Sequence, residues 1–456
     1  MSGLNASLAT ALSGLSAEQG ALDATTNNVA NVNTPGYSRE VPDLVSSNPV
    51  VLAPLTFGTG VTLKDIQSIR DPILESRIQQ ETQTQGQLNA LVSALQQTQV
   101  NFTSGSGDIG TAISNFFDSI NQLSTNPADL SLRQGVVTAA DNLATAFNVA
   151  ANHLTAQRSS LDQSVVQTVG QINQLTQQIA QLNGQIANLQ NVGENAGTFI
   201  DQRQQAIDQL SSLVDVSVIP SDNTLTLTTA NGTALVAGQQ SFQLQTQSTG
   251  TGVQDIFAQG TDITSTLVSG QLGGLLEARD QQIPAIQKQL DTLAAALATA
   301  VNGVQAGGFD LNGNAGTNLF NPSPAGGNGA AASLSVAITD PALVAASSDG
   351  TAGSNGNAEA LYALRDQAFV QGQSPTDYYS NLVFNVGNAT ANASAEQNAS
   401  SLVLQQLNDQ RASVSGVSLD EEAANMLRYQ QAYAASAQIV STINSMMQTV
   451  INMKTS

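Results

Sequence analysis

The 456-residue sequence contains no cysteine, no tryptophan and one histidine, His153. Without cysteine the chain has neither disulfides nor a thiolate that acts as nucleophile or metal ligand. A Ser-His-Asp triad would depend on His153, which lies in a helical stretch without the glycine pattern of a nucleophile elbow. We therefore predict no catalytic residue, no metal site and no cofactor.

Positive charge is also scarce. The 13 lysines and arginines stand against 34 aspartates and glutamates, which gives a formal net charge of −21. Such an acidic chain repels phosphate groups, so we predict no nucleic-acid partner. A run of about 18 apolar residues and a basic cluster for anionic lipid are both absent, so we predict no membrane partner either.

Two groups of polar residues have a weak similarity to known kinds of site. The loop that begins at Asp310 starts like a calcium loop, but Ala315 and Asn321 replace the glycine and the glutamate that such a loop requires. A turn-rich connector is the better interpretation. The three carboxylates at residues 420–422 open a predicted helix, where negative charge favours the helix dipole.

The two ends of the chain share a seven-residue apolar repeat. Apolar side chains at this spacing predict helices with a coiled-coil seam, and we expect the two ends to pair. We predict that this repeat is the assembly seam of the protein. It comprises Leu8, Leu15, Leu22, Val29, Leu419, Met426, Tyr433, Val440 and Met447.

Between the ends, the apolar spacing changes from helical to strand-like. A series at residues 161–189 alternates steps of four and three, which predicts a long helix packed on a neighbour. After Asp215, apolar and polar residues alternate around an Asn231-Gly232 turn, which predicts strands. A further strand is expected at residues 334–338.

We predict a mainly α fold with inserted β-structure. Coiled-coil-like paired N- and C-terminal helices form one domain, an elongated helical bundle forms the middle domain, and a β-rich domain lies outermost. The predicted terminal domain comprises residues 1–66 and 417–456. The helical domain comprises residues 67–214, 274–302 and 357–416, and the β-rich region comprises residues 215–273 and 303–356.

A tight turn is predicted after the N-terminal helix. Asn31 and Asn33 favour the end of a helix, and the Pro35-Gly36 pair suits a type II turn, which needs a positive φ at its third residue. Tyr37 is then placed to anchor the outgoing strand. We predict a signature turn that consists of Asn31, Asn33, Thr34, Pro35, Gly36 and Tyr37.

The segment around this turn, NNVANVNTPGYSR at residues 27–39, resembles the signature of flagellar rod, hook and hook-associated proteins. The C-terminal run at residues 415–453 is similar to the matching terminal helix of the same family. Middle segments such as FIDQRQQAIDQLSSLV, at residues 199–214, resemble the members of the family that join hook to filament. The resemblance covers nearly the whole chain.

The resemblance implies a structural subunit without catalysis, which assembles into a ring through its terminal helices. It implies hook protein as the neighbour on the cell side, hook-associated protein 3 on the distal side, and a cytoplasmic export chaperone on the C-terminal helix. It also implies a secreted protein of the extracellular flagellum. Export without a cleaved signal peptide is expected, because a secretory signal opens with basic residues and the first basic residue here is Arg39.

Besides a soluble helical binding module unrelated to flagella, two alternatives remain open at this point. One is another axial role, as a hook protein or a protein similar to hook-associated protein 3, although hook protein resembles this chain only at its ends. The other is a secreted enzyme on a flagellar scaffold, since a pair of carboxylates alone can hydrolyse sugars. Two facing carboxylates about 5–10 Å apart in a cleft would favour the enzyme.

Overall fold

The computed structural model describes residues 2–34, 36–52, 55–103, 108–192, 194–221, 224–250 and 252–455. Within these residues the fold is mainly α-helical, with small antiparallel sheets inserted between the helices. The predicted fold class, with its paired terminal helices, is therefore confirmed.

The helices of the described residues are numbered in chain order. The first six are α1 (Ser2–Ala30), α2 (Pro72–Thr103), α3 (Ile109–Thr125), α4 (Leu130–Asn191), α5 (Gly197–Leu213) and α6 (Gly270–Glu277). The others are α7 (Ile283–Ala306), α8 (Ala330–Ser333), α9 (Gly356–Ala363), α10 (Pro375–Ser415) and α11 (Leu419–Thr455). A π-helical turn, Ala278–Gln282, links α6 to α7, and the fully buried Arg279 in it pairs with Asp162 of α4.

The strands form four small sheets within the described residues. One sheet pairs β1 (Glu40–Ser46) with β4 (Val61–Ser68), and another pairs β2 (Val50–Leu52) with β3 (Leu55–Phe57). A four-stranded sheet contains β5 (Ser217–Ser221), β6 (Thr224–Thr228), β7 (Ala234–Ala237) and β8 (Gln240–Ser241). The last contains β9 (Leu244–Ser248), β10 (Gln254–Ala258) and β11 (Thr261–Asp262).

The predicted turn at Asn231-Gly232 connects β6 and β7, and Gly232 has the positive φ of 87° that such a turn requires. The strand expected at residues 334–338 was wrong, since this segment makes only an isolated bridge from Val336 to Phe320. The Asn302 side chain binds both the backbone N–H and the carbonyl of Phe320, so these groups are not free for a longer ladder.

The chain divides into two compact units. The first comprises Met1–Gln83, Gln171–Leu244 and Ser400–Ser456, and the second comprises Thr84–Gly170 and Gln245–Ala399. The boundaries between the units fall within α2, α4, β9 and α10. The three-domain division from the sequence stays a prediction.

Each unit has its own buried apolar residues. In the second unit, α3 buries its apolar face completely, and the ring of Phe116 lies 5.8 Å from the ring of Phe320. In the first unit, Leu74 and Ile78 of α2 pack with Leu407 of α10. The first unit also contains α1 and α11, and therefore both ends of the described chain.

Candidate assembly interface

The terminal helices α1 and α11 pack side by side in opposite directions. Gly14 of α1 lies against Ser436 of α11, where an added Cβ would be 3.4 Å from the serine Oγ. Further along α1, the Asn28 Nδ2 donates to the Glu422 Oε2 at 3.1 Å. Residue numbers thus rise along one helix as they fall along the other, and the start of α1 pairs with the second half of α11.

The buried line of α1 consists of small residues. Ala17, Ala21, Ala24 and Asn28 follow one another in steps of four, three and four, and none is more than 2% exposed. Small side chains allow a short distance between helix axes, because that distance depends on the residues at the contact. On α11, the buried residues are Glu422, Tyr429 and Ile443.

The nine predicted seam residues lie beside the buried residues of α1 and α11. Leu8, Leu15, Leu22 and Val29 of α1 and Met426, Val440 and Met447 of α11 are partly buried. Leu419 and Tyr433 are exposed, at 53% and 37%. The alanine line was missed because alanine is a weak signal of burial, although its 4-3-4 spacing is visible in the sequence. The role of the nine residues in assembly stays a prediction.

Charged side chains are scarce over the half of the helix pair that holds the start of α1, where Lys454 near the end of α11 is the exception. Residues 2–17 and residues 429–453 contain no aspartate, glutamate, lysine, arginine or histidine. At 100° per residue, four exposed apolar side chains share one face of α11, an arc of about 60° that lies next to the buried Ile443. We call this face the outer stripe; its members are Ile439, Met446, Val450 and Met453, which are 41–74% exposed.

The signature turn follows α1 directly. The Thr34 N–H donates to the Asn31 carbonyl at 2.8 Å, and the Tyr37 N–H donates to the Thr34 carbonyl at 3.2 Å. Gly36 has a φ of 77°, as the third residue of a type II turn does. Pro35 lies outside the described residues, and Asn33 is exposed. The turn reverses the chain so that the segment after it returns to α1.

Asn28 holds this returning segment against α1. Its Nδ2 donates to the Glu40 carbonyl at 2.8 Å and to Glu422 at 3.1 Å. Its Oδ1 accepts from the Glu40 N–H at 2.8 Å and from the Tyr37 hydroxyl at 2.9 Å. The Asn28 amide thus donates two hydrogen bonds and accepts two, and the residue is only 1% exposed. Sequence reasoning missed it, although it belongs to the signature segment and is the one amide in the alanine line.

Arg39 connects the same segment to α11. Its Nε donates to the Glu422 Oε1 at 2.8 Å, and its Nη1 lies 2.8 Å from the Glu421 Oε2. Its backbone N–H donates to the carbonyl of Ser415, the last residue of α10. Glu422 therefore accepts a hydrogen bond from Asn28 of α1 and pairs with the charge of Arg39, in addition to its place at the start of α11. The sequence interpretation missed this role.

The network continues from the turn towards α5. The Arg70 Nε donates to the Ser38 Oγ at 3.0 Å, and the Arg70 Nη2 pairs with Asp201. Burial raises the pKa of Asp201 above its usual value, although the positive charge of Arg70 opposes the rise. Burial also raises the pKa of Tyr37 far above its usual value, and three neighbouring carboxylates raise it further. The Tyr37 hydroxyl therefore stays protonated and remains a donor to Asn28.

A small cavity of about 170 Å³ opens beside the signature turn. In its wall, the Arg411 Nη1 lies 3.6 Å from both the Glu75 Oε2 and the Asp208 Oδ2. Burial raises the pKa of Asp208 to about 6. This is a pair of facing carboxylates, but ligand pockets usually measure roughly 300–1,000 Å³ and the arginine pairs with both acids. The cavity therefore does not fit a sugar-hydrolysing site.

The other sequence candidates have ordinary surroundings. His153 is exposed on α4 beside a cleft, and Asp108 in that cleft is bound by the Tyr379 hydroxyl. Both oxygens of Asp310 accept hydrogen bonds from Asn312 and Asn314 of its own loop. Within the described ranges, no group of three or more acidic or histidine side chains is arranged to hold a metal. No helix in that part of the chain is long and apolar enough to cross a membrane.

Comparison with known families gives matches along most of the chain. The family described as flagellar hook-associated protein FlgK helical domain matches residues 95–320. Residues 8–37 match the flagella basal body rod protein family, and residues 409–453 match the flagellar basal body rod FlgEFG protein C-terminal family. The two end matches include most of α1 with the signature turn and most of α11.

Individual relatives are similar over almost their whole length. The flagellar hook-associated protein 1 of Bacillus subtilis is 30% identical, with 98% of this chain and 97% of that protein covered. The Escherichia coli protein of the same name is 28% identical, with 97% and 99% covered. The structure of the flagellar hook junction protein FlgK from Burkholderia pseudomallei shares the fold, with a TM-score of 0.68 at 20% identity over 74% of this chain and 100% of that one. The chain belongs to the flagellar hook-associated protein 1 family.

Proposed function

We propose that the protein is a structural subunit of the bacterial flagellum that forms the junction between hook and filament. Its similarity to hook-associated proteins 1 runs through 97–98% of the chain, which favours the same role over that of hook protein or hook-associated protein 3. The family match at residues 95–320 also favours the junction role, because it lies outside the terminal segments that axial proteins share.

The observation that carries the assembly part of the proposal is the long stretch of the α1–α11 pair without charged side chains. Copies of a chain with a net charge of −21 repel one another wherever their acidic surfaces meet. Residues 2–17 and 429–453 carry no charge, so copies can approach there without that cost. Full burial of an exposed apolar side chain contributes roughly 1.5–3 kcal/mol, and the residues of the outer stripe, which are 41–74% exposed, gain a corresponding part of it. We propose that copies form a ring through this stretch of the pair.

The remaining partners follow from the same role. We propose hook protein on the cell side, hook-associated protein 3 on the distal side, and an export chaperone that covers the C-terminal helix before assembly. The apolar outer stripe supports a need for such cover. The site of action is the extracellular flagellum, reached without a cleaved signal peptide. The role is structural and needs no cofactor.

Deletion of the gene tests the junction role. Mutant cells should carry intact hooks without filaments, and they should release flagellin into the medium. Electron microscopy of the cells and immunoblotting of the medium measure both effects. Filaments that remain attached to the hooks of the deletion strain would disprove the junction role.

Two neighbouring residues of α11 test the assembly surface. Ile439 is 51% exposed in the outer stripe, and Gln438 is exposed on another face of the helix. Ile439→Asp should keep the melting temperature of the monomer but fail to restore filaments in the deletion strain. Gln438→Asp adds the same charge one residue away and should restore them. Equal restoration by both variants would exclude the outer stripe as an assembly surface.

A further inference from the structure

The sulfur of this protein is concentrated in one helix. The chain has no cysteine and five methionines, and four of the five lie in α11. They are Met426, Met446, Met447 and Met453; the fifth is Met1. Because tryptophan is also absent, α11 carries most of the side chains that mild two-electron oxidants attack readily.

These four methionines divide into two pairs by position. Met446 and Met453 belong to the outer stripe and are 53% and 74% exposed. Met426 and Met447 are partly buried. Oxidation of methionine depends on access of the reagent to sulfur, so the first pair should react before the second.

We propose that Met446 and Met453 are modification sites for hydroperoxides, and that their oxidation blocks assembly of the protein. In the reaction the thioether sulfur attacks one oxygen of the peroxide. A sulfur–oxygen bond forms to the hydroxyl oxygen as the oxygen–oxygen bond breaks. The transferred oxygen gives up its proton, and the leaving oxygen takes up a proton to become water or an alcohol. Sulfur loses two electrons and the peroxide gains them, so no further reactant is needed.

The consequence rests on the proposed function, in which assembly buries the outer stripe. A sulfoxide is a polar acceptor, whereas the thioether it replaces is apolar. In the free subunit the sulfoxides of Met446 and Met453 are exposed to water, so the fold does not oppose their formation. In the assembly each would lose its contact with water and lie beside the apolar side chains of Ile439 and Val450, which cannot donate to it. Oxidation therefore acts on assembly and leaves the subunit folded.

Because the chain contains no cysteine, oxidation of its methionines occurs without a competing reaction at a thiol. Methionine sulfoxide is restored to the thioether by methionine sulfoxide reductases, one for each epimer. The modification is therefore reversible, and it gives the free subunit a state that cannot join the axial structure until it is reduced.

The test begins with hydrogen peroxide and the purified full-length protein. Tandem mass spectrometry should show one added oxygen at Met446 and Met453 before Met426 and Met447. Oxidised protein should then be retained on isolated hooks at least about tenfold less than reduced protein, since one buried unpaired polar group weakens binding by that order. Its circular dichroism and melting temperature should match those of the reduced protein. Treatment with both reductases should restore retention.

Two leucine variants give the matched comparison, because leucine replaces methionine at nearly equal volume and does not oxidise. The double variant Met446→Leu and Met453→Leu should stay on hooks after peroxide treatment. The double variant Met426→Leu and Met447→Leu should lose retention as the natural chain does. The inference is overturned if oxidised natural chain is retained as well as the reduced form, or if the first variant loses retention equally. Reduced protein that is not retained on hooks at all would disprove the proposed function itself.

Discussion

Asn28 of α1 donates a 3.1 Å hydrogen bond to Glu422 of α11, although 394 positions separate them in the chain. Both residues are 1% exposed, so water does not replace either partner. Arg39 binds the same carboxylate from the segment that leaves the signature turn. The two ends of the chain are therefore joined by a buried polar contact as well as by apolar packing, and that contact fixes the register of the helix pair.

Asn28→Asp should destabilise this pair by about 2–4 kcal/mol, because it removes two donated bonds and places a second carboxylate beside Glu422. Hydrogen exchange should become faster in α1 and α11, with little change in α3. The control Asn33→Asp adds the same charge at an exposed position of the signature segment. Similar exchange rates in the two variants would show that Asn28 does not hold the pair.

Glu422→Gln should lower stability more than Glu421→Gln. Arg39 pairs with both carboxylates, but the Glu422 side chain is 2% exposed and the Glu421 side chain is 61% exposed. Loss of the buried partner should cost about 2–3 kcal/mol, whereas an exposed pair contributes under about 1 kcal/mol. Chemical unfolding at low and high salt measures both effects. A larger loss for Glu421→Gln would contradict the assigned roles.

Ala21→Leu should force α1 and α11 apart at a cost of about 1–3 kcal/mol, because Ala21 is fully buried in the contact. Ala9→Leu, an exposed position on the same helix, is the control and should be close to neutral. The comparison also separates the alanine line from the predicted seam. If Leu22→Ala proved far more harmful than Ala21→Leu, the predicted seam would be the main contact. Thermal unfolding followed by circular dichroism gives the comparison.

Asp215 should make the stability of the protein depend on pH. It is 2% exposed, one oxygen accepts from the Ala230 N–H, and burial raises its pKa to about 6. The unfolded value is about 3.9, so between pH 4 and 6 the folded chain binds the proton more tightly. Asp215 therefore adds about 1–3 kcal/mol to the free energy of unfolding below about pH 4. This contribution is lost as the pH rises through 6.

Asp215→Asn isolates that effect, because asparagine stays neutral and can still accept from Ala230. The variant should be more stable than the natural chain at pH 7.5, and the difference should shrink at pH 4.5. Urea unfolding at the two pH values measures it. Asp409→Asn, at an exposed position of α10, should leave the pH dependence as it is. If the stability difference between Asp215→Asn and the natural chain is the same at both pH values, Asp215 is not the cause of the pH dependence.

The sequence by itself determined the terminal helices and the turn between α1 and β1. Repeats of seven residues and a Pro-Gly pair act locally, through helix periodicity and allowed backbone angles, so they can be recognised without the fold. The same locality explains why the mainly α class with inserted β-structure was predictable. It also explains the wrong strand at residues 334–338, where a distant side chain, Asn302, takes the backbone groups of Phe320.

Only the tertiary structure decided which residues hold the two ends together. Asn28, Arg39 and Glu422 are polar, and each alone indicates a surface position or a helix end. Their role depends on an antiparallel pairing that brings α11 beside α1, and this long-range geometry is not written in any local pattern. The alanine line is buried for the same reason. Close approach of two helices selects small residues, whereas the leucines that dominate the sequence pattern lie beside the contact.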